Sequence, residues 1–393
     1  MTLMAEASLE NDPKCRVAIV SFPWQSQAPY KFLSELLKIL DPLCKKIVVI
    51  DGYTDRINVV SKSVELRDIG VGLHYVAEKK PTLYSGLLWI AKCILAQAKS
   101  SLELMRIRGE VDIVVFYMAN PFYLIPVITS KLLGKSTIDV ITRSISEQKK
   151  LLTRIFSLQD PLLLKLFDGL SPETSALIGE LKLAKYQSKL LAEGARFIDT
   201  SYFKIDKGID ERELVVGFIG RLDKGKGIVE FLDAIPLVSK SYNNVKFLIG
   251  GSGKLSHYVD EKSKALFEEL GVDIEVTGWI EKGLPDYFNR LRLFVLPTYF
   301  DAFPTSVLEA MACGAPVLAT AKGGIVDVIR DEETGFIMED HTPAVIAENI
   351  TRAISHPDID RIVANAHNVI ERKFTYIKAV ERWRRILELA VSK

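Results

Sequence analysis

Apolar runs of strand length alternate with helix-patterned stretches along most of this chain, and that alternation leaves few architectures open. Residues 17–22, 47–51, 111–117 and 137–142 are short, bounded and rich in β-branched side chains, with stretches of helical period such as 30–40 and 84–105 between them. Strands separated in this way by helices build a parallel, doubly wound sheet. The pattern returns in the second half, where strands are expected from about Leu214, Val245, Asp273, Arg292, Ala315 and Gly335. A chain of 393 residues exceeds one ordinary core. Two α/β domains are therefore expected, residues 1–203 and 204–375, with the polar stretch 204–213 as the linker. Residues 150–193 read as mostly helical. Residues 376–391 carry Ile377, Val380, Trp383, Ile386, Leu387 and Ala390 at helical spacing.

Two carboxylates separated by seven residues are the most informative local feature. The strand-like run 291–298 leads into Asp301, and Pro304 sits where a first helical turn can begin. A helix starting near Thr305 carries Glu309 about 6 Å further along its axis, while Asp301 stays in the loop ahead. Free amides of the loop and first turn would face a phosphate there. The two acceptor-only carboxylates would suit ribose and hexose hydroxyls. Acids near a helix start are also favoured by the helix dipole alone, so the pair gains weight only beside two further segments. Residues 214–220 run into Arg221-Leu222-Asp223-Lys224-Gly225-Lys226-Gly227, a strand-to-helix turn whose guanidinium fork and ammonium suit a pyrophosphate. A solvated basic turn is its plain alternative. Residues 245–250 then reach Gly250-Gly251-Ser252-Gly253-Lys254, where missing side chains let a flat ligand or a phosphate approach the backbone, although the dinucleotide-binding spacing is not present.

Together these segments resemble the donor-binding domain of the GT-B glycosyltransferases, specifically glycosyltransferase family 4, retaining enzymes that use nucleotide-diphosphate sugars. The resemblance covers roughly residues 195–385. It rests on Gly194-Ala195-Arg196-Phe197-Ile198-Asp199, the Arg221 to Gly227 pattern, Thr277-Gly278-Trp279-Ile280, Pro297, Asp301 with Glu309-Ala310-Met311-Ala312, and Gly314-Ala315-Pro316-Val317. The first half matches only in architecture. The resemblance implies two Rossmann-like α/β domains facing a cleft, with the last helix, 376–393, crossing back to the acceptor-side first domain. It implies Arg221 and Lys226 on the diphosphate, Glu309 on the ribose and Asp301 on the transferred sugar. Gly220 and the segment Ala302, Phe303, Pro304, Thr305, Ser306 and Val307 would surround the diphosphate and sugar. Gly251, Gly253, Lys254, Trp279 and Ile280 would lie around the nucleoside, with Trp279 either flanking the base or capping the core. The implied reaction moves a hexose from a UDP- or GDP-linked donor to a glycan or lipid-linked acceptor by front-face displacement, with the departing phosphate helping to remove the acceptor proton. Neither acid is expected as a nucleophile.

The chain departs from the family pattern in three places. The family usually has Glu at the first acid, and Asp301 is shorter by about 1.5 Å of reach. The first loop, residues 21–27, lacks a Gly-Gly pair that many relatives carry, and Gln25 is its acceptor-side candidate. His74 is the only histidine of the first half, and nothing chemical flanks it. Arg143 is the second acceptor-side candidate, with a structural salt bridge as its plain reading. A sugar-nucleotide-binding homologue without turnover and a nucleotide-sugar epimerase of the same fold are the alternatives. The epimerase would need an acid–base set that the sequence does not display.

A net charge of +1 argues against a dedicated nucleic-acid binder. Residues 1–210 hold 28 Lys and Arg against 23 Asp and Glu, and the remainder 23 against 27, a modest basic excess that would favour an anionic membrane or acceptor on the first domain. Cys15, Cys44, Cys93 and Cys313 form no metal-binding or disulfide spacing. No secretory signal and no run of eighteen apolar residues is visible, so a cytoplasmic chain is expected. Peripheral membrane contact through the first domain is the further expectation, on the helical stretch 84–105 or 149–167. No metal or other cofactor is expected: Asp358 and Asp360 read as a solvated helix start rather than a Mg²⁺ site, and the histidines are too dispersed for zinc.

Overall fold

The computed structural model describes residues 15–21, 28–59, 61–72, 83–117, 123–142, 159–194, 196–299, 301 and 305–391. The chain divides into two compact units, Met1–Arg196 with Tyr376–Lys393, and Phe197–Thr375. The division falls seven residues before the expected start of the second domain, and the expected linker is firmly held. Arg212 is buried and donates to the carbonyls of Lys207, Phe288, Leu291 and Cys313, with the Cys313 bond at 2.7 Å. Asn289 bonds the carbonyl of Lys204 and the amide of Asp206. A polar stretch can look like a linker because its charge faces inward onto backbone acceptors, which the sequence does not display.

In the first unit, strands β1 (Cys15–Ser21), β2 (Cys44–Asp51), β3 (Val64–Asp68), β4 (Ile113–Tyr117), β5 (Ser136–Ile141) and β6 (Gly169–Pro172) form a parallel sheet in the order β3-β2-β1-β4-β5-β6. Helices α1 (Ala28–Leu40), α2 (Leu83–Arg106), α3 (Leu124–Leu132), α4 (Asp160–Leu166) and α5 (Ser175–Glu180) connect them. β6 is a strand that the expectation of mostly helical structure over 150–193 did not include, and residues 150–158 of that stretch lie outside the described residues. Helix α12 (Tyr376–Val391) packs on α1 and β5, burying Ala379, Val380, Trp383, Ile386, Leu387 and Ala390. Ile377, expected in that stripe, is instead exposed. The Tyr376 hydroxyl donates to the carbonyl of Lys38, and Arg382 to that of Arg196. Arg196 itself is buried against Glu173 at 3.2 Å and lies 3.5 Å over the Phe32 ring. Among the described residues no helix is long and apolar enough to cross a membrane.

Asp51, at the end of β2, is fully buried. It accepts hydrogen bonds from the Ser21 and Tyr30 hydroxyls and the Tyr53 amide. Burial outweighs these bonds and pushes its carboxyl up to about 6. An acid whose folded pKa lies above its unfolded value contributes stability below the unfolded value and loses it as pH rises through the folded one. The expected outcome is that Asp51→Asn gains stability relative to the native chain as pH rises from about 4 to 6, by up to about 3 kcal/mol, and no further above that. Urea unfolding curves across this window test it, and a difference independent of pH would refute it.

The second unit repeats the plan. Strands β7 (Val215–Ile219), β8 (Lys246–Gly250), β9 (Ile274–Gly278), β10 (Leu293–Leu296), β11 (Val317–Thr320) and β12 (Phe336–Met338) run parallel in the order β12-β11-β10-β7-β8-β9. All six begin within two residues of the expected positions. Helices α6 (Ile228–Ser241), α7 (Ser256–Leu270), α8 (Leu284–Arg290), α9 (Thr305–Ala312), α10 (Pro343–Ile354) and α11 (Ile359–Lys373) cover the faces. Both units thus start in the middle of the sheet, walk to one edge, return beside the first strand and walk to the other. In the second unit the direction reverses between β7 and β10. Loops leaving two such strands part to opposite faces and leave a crevice at their carboxyl ends, the usual ligand position of open α/β sheets.

Candidate functional site

That reversal places two distant loops side by side. Lys226 follows β7 and Asp301 follows β10, 75 residues later, yet their side chains form an ion pair. Both are less than a fifth exposed, so the pair is only partly screened by water. The β7 loop is tied down on its other edge as well. Gly225 accepts from the Tyr299 amide at 3.0 Å and the Thr298 hydroxyl at 3.1 Å. Gly227 has φ +74°, and a Cβ there would stand 2.0 Å from the carbonyl oxygen of Pro297. Only glycine allows the chain to turn there and press against the end of β10.

The third glycine-rich segment plays a related part. A Cβ on Gly251, at φ +122°, would lie 1.8 Å from the Gly220 carbonyl oxygen, and one on Gly253 would lie 2.4 Å from that of Leu222. These two glycines admit a neighbouring backbone, with Leu222 donating to Ser252 and Leu255 to Leu222. The expected approach of a flat ligand is therefore joined by a packing requirement that the sequence did not distinguish from it. Lys254 is exposed. Trp279, beyond β9, is 75% exposed and does not cap the core, whereas Ile280 packs against it.

Helix α9 starts at Thr305 as expected. Thr305 and Ser306 are half-buried at its first turn, Val307 is buried, and Glu309 is 6% exposed. First-turn amides have no partner within their own helix. Arg221 is not joined to this cluster: its guanidinium pairs through Nε with Asp223 and its side chain is 69% exposed. Ala302, Phe303, Pro304, Gln25, His74 and Arg143 lie outside the described residues. Asp358 and Asp360 flank the start of α11.

The sequence reading overlooked several groups that frame the site. Tyr299 donates to Glu230 at 2.8 Å and its ring packs at a tilt of 48° against His341, 3.7 Å between centroids. The carbonyl of Asp301 accepts from the amide of Gly324 at 3.0 Å, which brings the Gly323-Gly324 turn after β11 against the acid. A glycine pair just past a strand was the available signal, of the same kind as Gly250-Gly251.

Residues 200–371 match the family model described as glycosyl transferases group 1. That match falls within the second unit, and the two doubly wound units together have the GT-B fold. The capsular polysaccharide biosynthesis glycosyltransferase CapM of Staphylococcus aureus is 32% identical over 163 residues, 41% of this chain and 42% of that protein. The D-inositol 3-phosphate glycosyltransferase of Segniliparus rotundus is 28% identical over 171 residues, 43% of this chain and 38% of that protein. The matched part is less than half the length of these relatives. Among solved structures, Anabaena HepE in complex with UDP and glucose has a TM-score of 0.69 at 15% identity, covering 95% of this chain and 100% of that one. Sucrose-phosphate synthase from Thermosynechococcus elongatus has a TM-score of 0.72, also at 15% identity, covering 96% and 100%.

Proposed function

We propose that this chain is a retaining hexosyltransferase that takes a UDP- or GDP-linked sugar and passes the hexose to a glycan or lipid-linked acceptor. The observation that carries the reading is the convergence of Lys226, Asp301 and the first turn of α9 at the strand reversal, with Glu309 one turn further on. Breaking a glycosyl-phosphate bond adds negative charge to the leaving diphosphate. A cation and free amides fixed beside it therefore stabilise the transition state more than the ground state. In this reading Lys226 and the amides of Thr305, Ser306 and Val307 hold the diphosphate. Arg221 adds its remaining guanidinium donors from the exposed side of the loop. Glu309 holds the ribose and Asp301 the sugar, with the exposed ring of Trp279 beside the base. The departing phosphate helps take the acceptor proton, and no metal is needed because the cations and amides supply the positive charge. The capsular polysaccharide role in the name of CapM and the UDP and glucose bound to HepE support the substrate classes.

The direct test is a screen of UDP- and GDP-sugars for slow donor hydrolysis in excess EDTA, read by mass spectrometry. Turnover is expected with at least one donor. Binding without turnover would favour the binding-only homologue, and turnover restored only by Mg²⁺ would overturn the metal-free reading. The two acids should separate by calorimetric titration with the free nucleoside diphosphate. Glu309→Gln should weaken it, because ribose is common to donor and product. Asp301→Asn should not weaken it and should mainly lower turnover. Equal losses in both variants would show the donor-site assignment to be wrong.

A further inference from the structure

Helix α2 of the first unit is built inside out. Its protein-facing side carries Cys93, Ala96, Gln97, Ser100, Ser101 and Leu104, while Leu87, Leu88, Ile94, Leu95, Leu102 and Met105 are each 40% exposed or more. At 3.6 residues per turn these six fall within an arc of about 120°, which also contains Ala91 and Ala98, and the stripe runs about 27 Å along the helix. No charged residue interrupts it between Leu87 and Met105. The usual surface helix of a soluble domain has the opposite arrangement, with its apolar stripe against the core.

The stripe continues sideways. Helix α3 packs along α2 and exposes Ile125, Ile128 and Leu132 on one face, the last at 84%, and α4, packed along α3, exposes Leu162. An apolar surface this continuous exceeds what a monomer ordinarily leaves in water. The exposed charged side chains along these three helices, among the described residues, are all cations: Arg106, Lys131 and Lys165. Of the acids on or beside these helices, Glu103 pairs with Arg106, Asp168 pairs with Lys131 at 2.7 Å, and Asp160 at the start of α4 is half-buried. Long apolar stripes edged by cations are what a helix lying in the headgroup region of an anionic bilayer presents.

We propose that the α2–α3–α4 face of the first unit docks on an anionic lipid surface, with α2 lying flat and its leucine stripe in the acyl boundary. The proposal rests on this surface alone and does not depend on the reaction assigned to the second unit. A second copy of the chain would fit the apolar stripe but would bring the exposed Arg106, Lys131 and Lys165 against like charges.

Sedimentation of the full chain with vesicles of phosphatidylcholine alone, and of phosphatidylcholine with an equal part of phosphatidylglycerol, tests it. The chain is expected to partition onto the anionic vesicles, and less at high salt. The triple variant Ile94→Gln, Leu95→Gln, Leu102→Gln should partition at least tenfold less, with an unchanged unfolding transition because the replaced side chains are exposed. Arg106→Glu with Lys165→Glu should lose the preference for phosphatidylglycerol. Failure of the native chain to bind either vesicle, or equal binding by the triple variant, would overturn the proposal. So would a dimer in analytical ultracentrifugation that the triple variant dissociates without any vesicle binding, since the face would then belong to a second copy.

Discussion

Lys226→Ala is expected to lower both nucleoside diphosphate affinity and turnover by about a hundredfold, roughly 2.7 kcal/mol. Two effects add. The ligand loses its nearest ammonium, and the carboxylate of Asp301, which pairs with that ammonium, is left uncompensated where the incoming charge must sit. The second effect is testable on its own, because Lys226→Ala with Asp301→Asn removes the repulsion and should regain part of the affinity. Residues in contact give such non-additive cycles, and distant ones do not. Calorimetric titration of the four proteins measures the cycle. Native affinity in Lys226→Ala would remove Lys226 from the clamp. Equal affinity in the single and double variants would show that the Asp301 charge is not felt by the ligand.

Gly227→Ala should be nearly as damaging by another route. The left-handed backbone at φ +74° costs an L-residue about 1–2 kcal/mol. In addition, the new methyl group would overlap the Pro297 carbonyl oxygen, 2.0 Å away, so the two backbones must separate. Those backbones are the loops carrying Lys226 and Asp301. The variant is therefore expected to lose about 2–4 kcal/mol of second-unit stability and most of its diphosphate affinity together. Gly225→Ala is the matched control: its nearest neighbour would be the movable Asp223 side chain at 3.2 Å, and both losses should be much smaller. Denaturant unfolding and titration of the pair decide it. Equal effects at the two glycines would contradict the close-packing account.

The interior strands were legible because both of their faces are buried, which forces an apolar run that little else in a chain produces. β3 and β6 were not. They are the two edges of the first sheet. β3 is the mixed segment Val-Glu-Leu-Arg-Asp, and β6 is four residues containing both glycine and proline. A strand hydrogen-bonded on one side can carry such residues, and its local pattern then resembles a loop. The helix at Thr305 and the acids around it were legible from spacing. The meeting of Lys226 with Asp301 was not, since nothing near either residue names the other and only the strand order joins them. Nor does sequence separate a glycine kept for a ligand from one kept for a neighbouring backbone, as at Gly251 and Gly253. Helix α2 was expected from its period, but which side of it would meet water followed only from the small and polar face it turns toward α3.

The first unit is made of two pieces of chain, and synthesis delivers them at different times. Between Arg196 and Tyr376 the ribosome must add the whole of Phe197–Thr375, which at roughly 5–20 residues per second takes on the order of 10–40 s. During that interval the sheet of the first unit exists without α12, and the surface that will receive Trp383, Ile386 and Leu387 faces solvent. The second unit, continuous in the chain, can be complete before the first is closed. The nascent protein can therefore have its second unit largely assembled while the first is still an open, sticky intermediate, and that interval is when a chaperone would have a surface to hold.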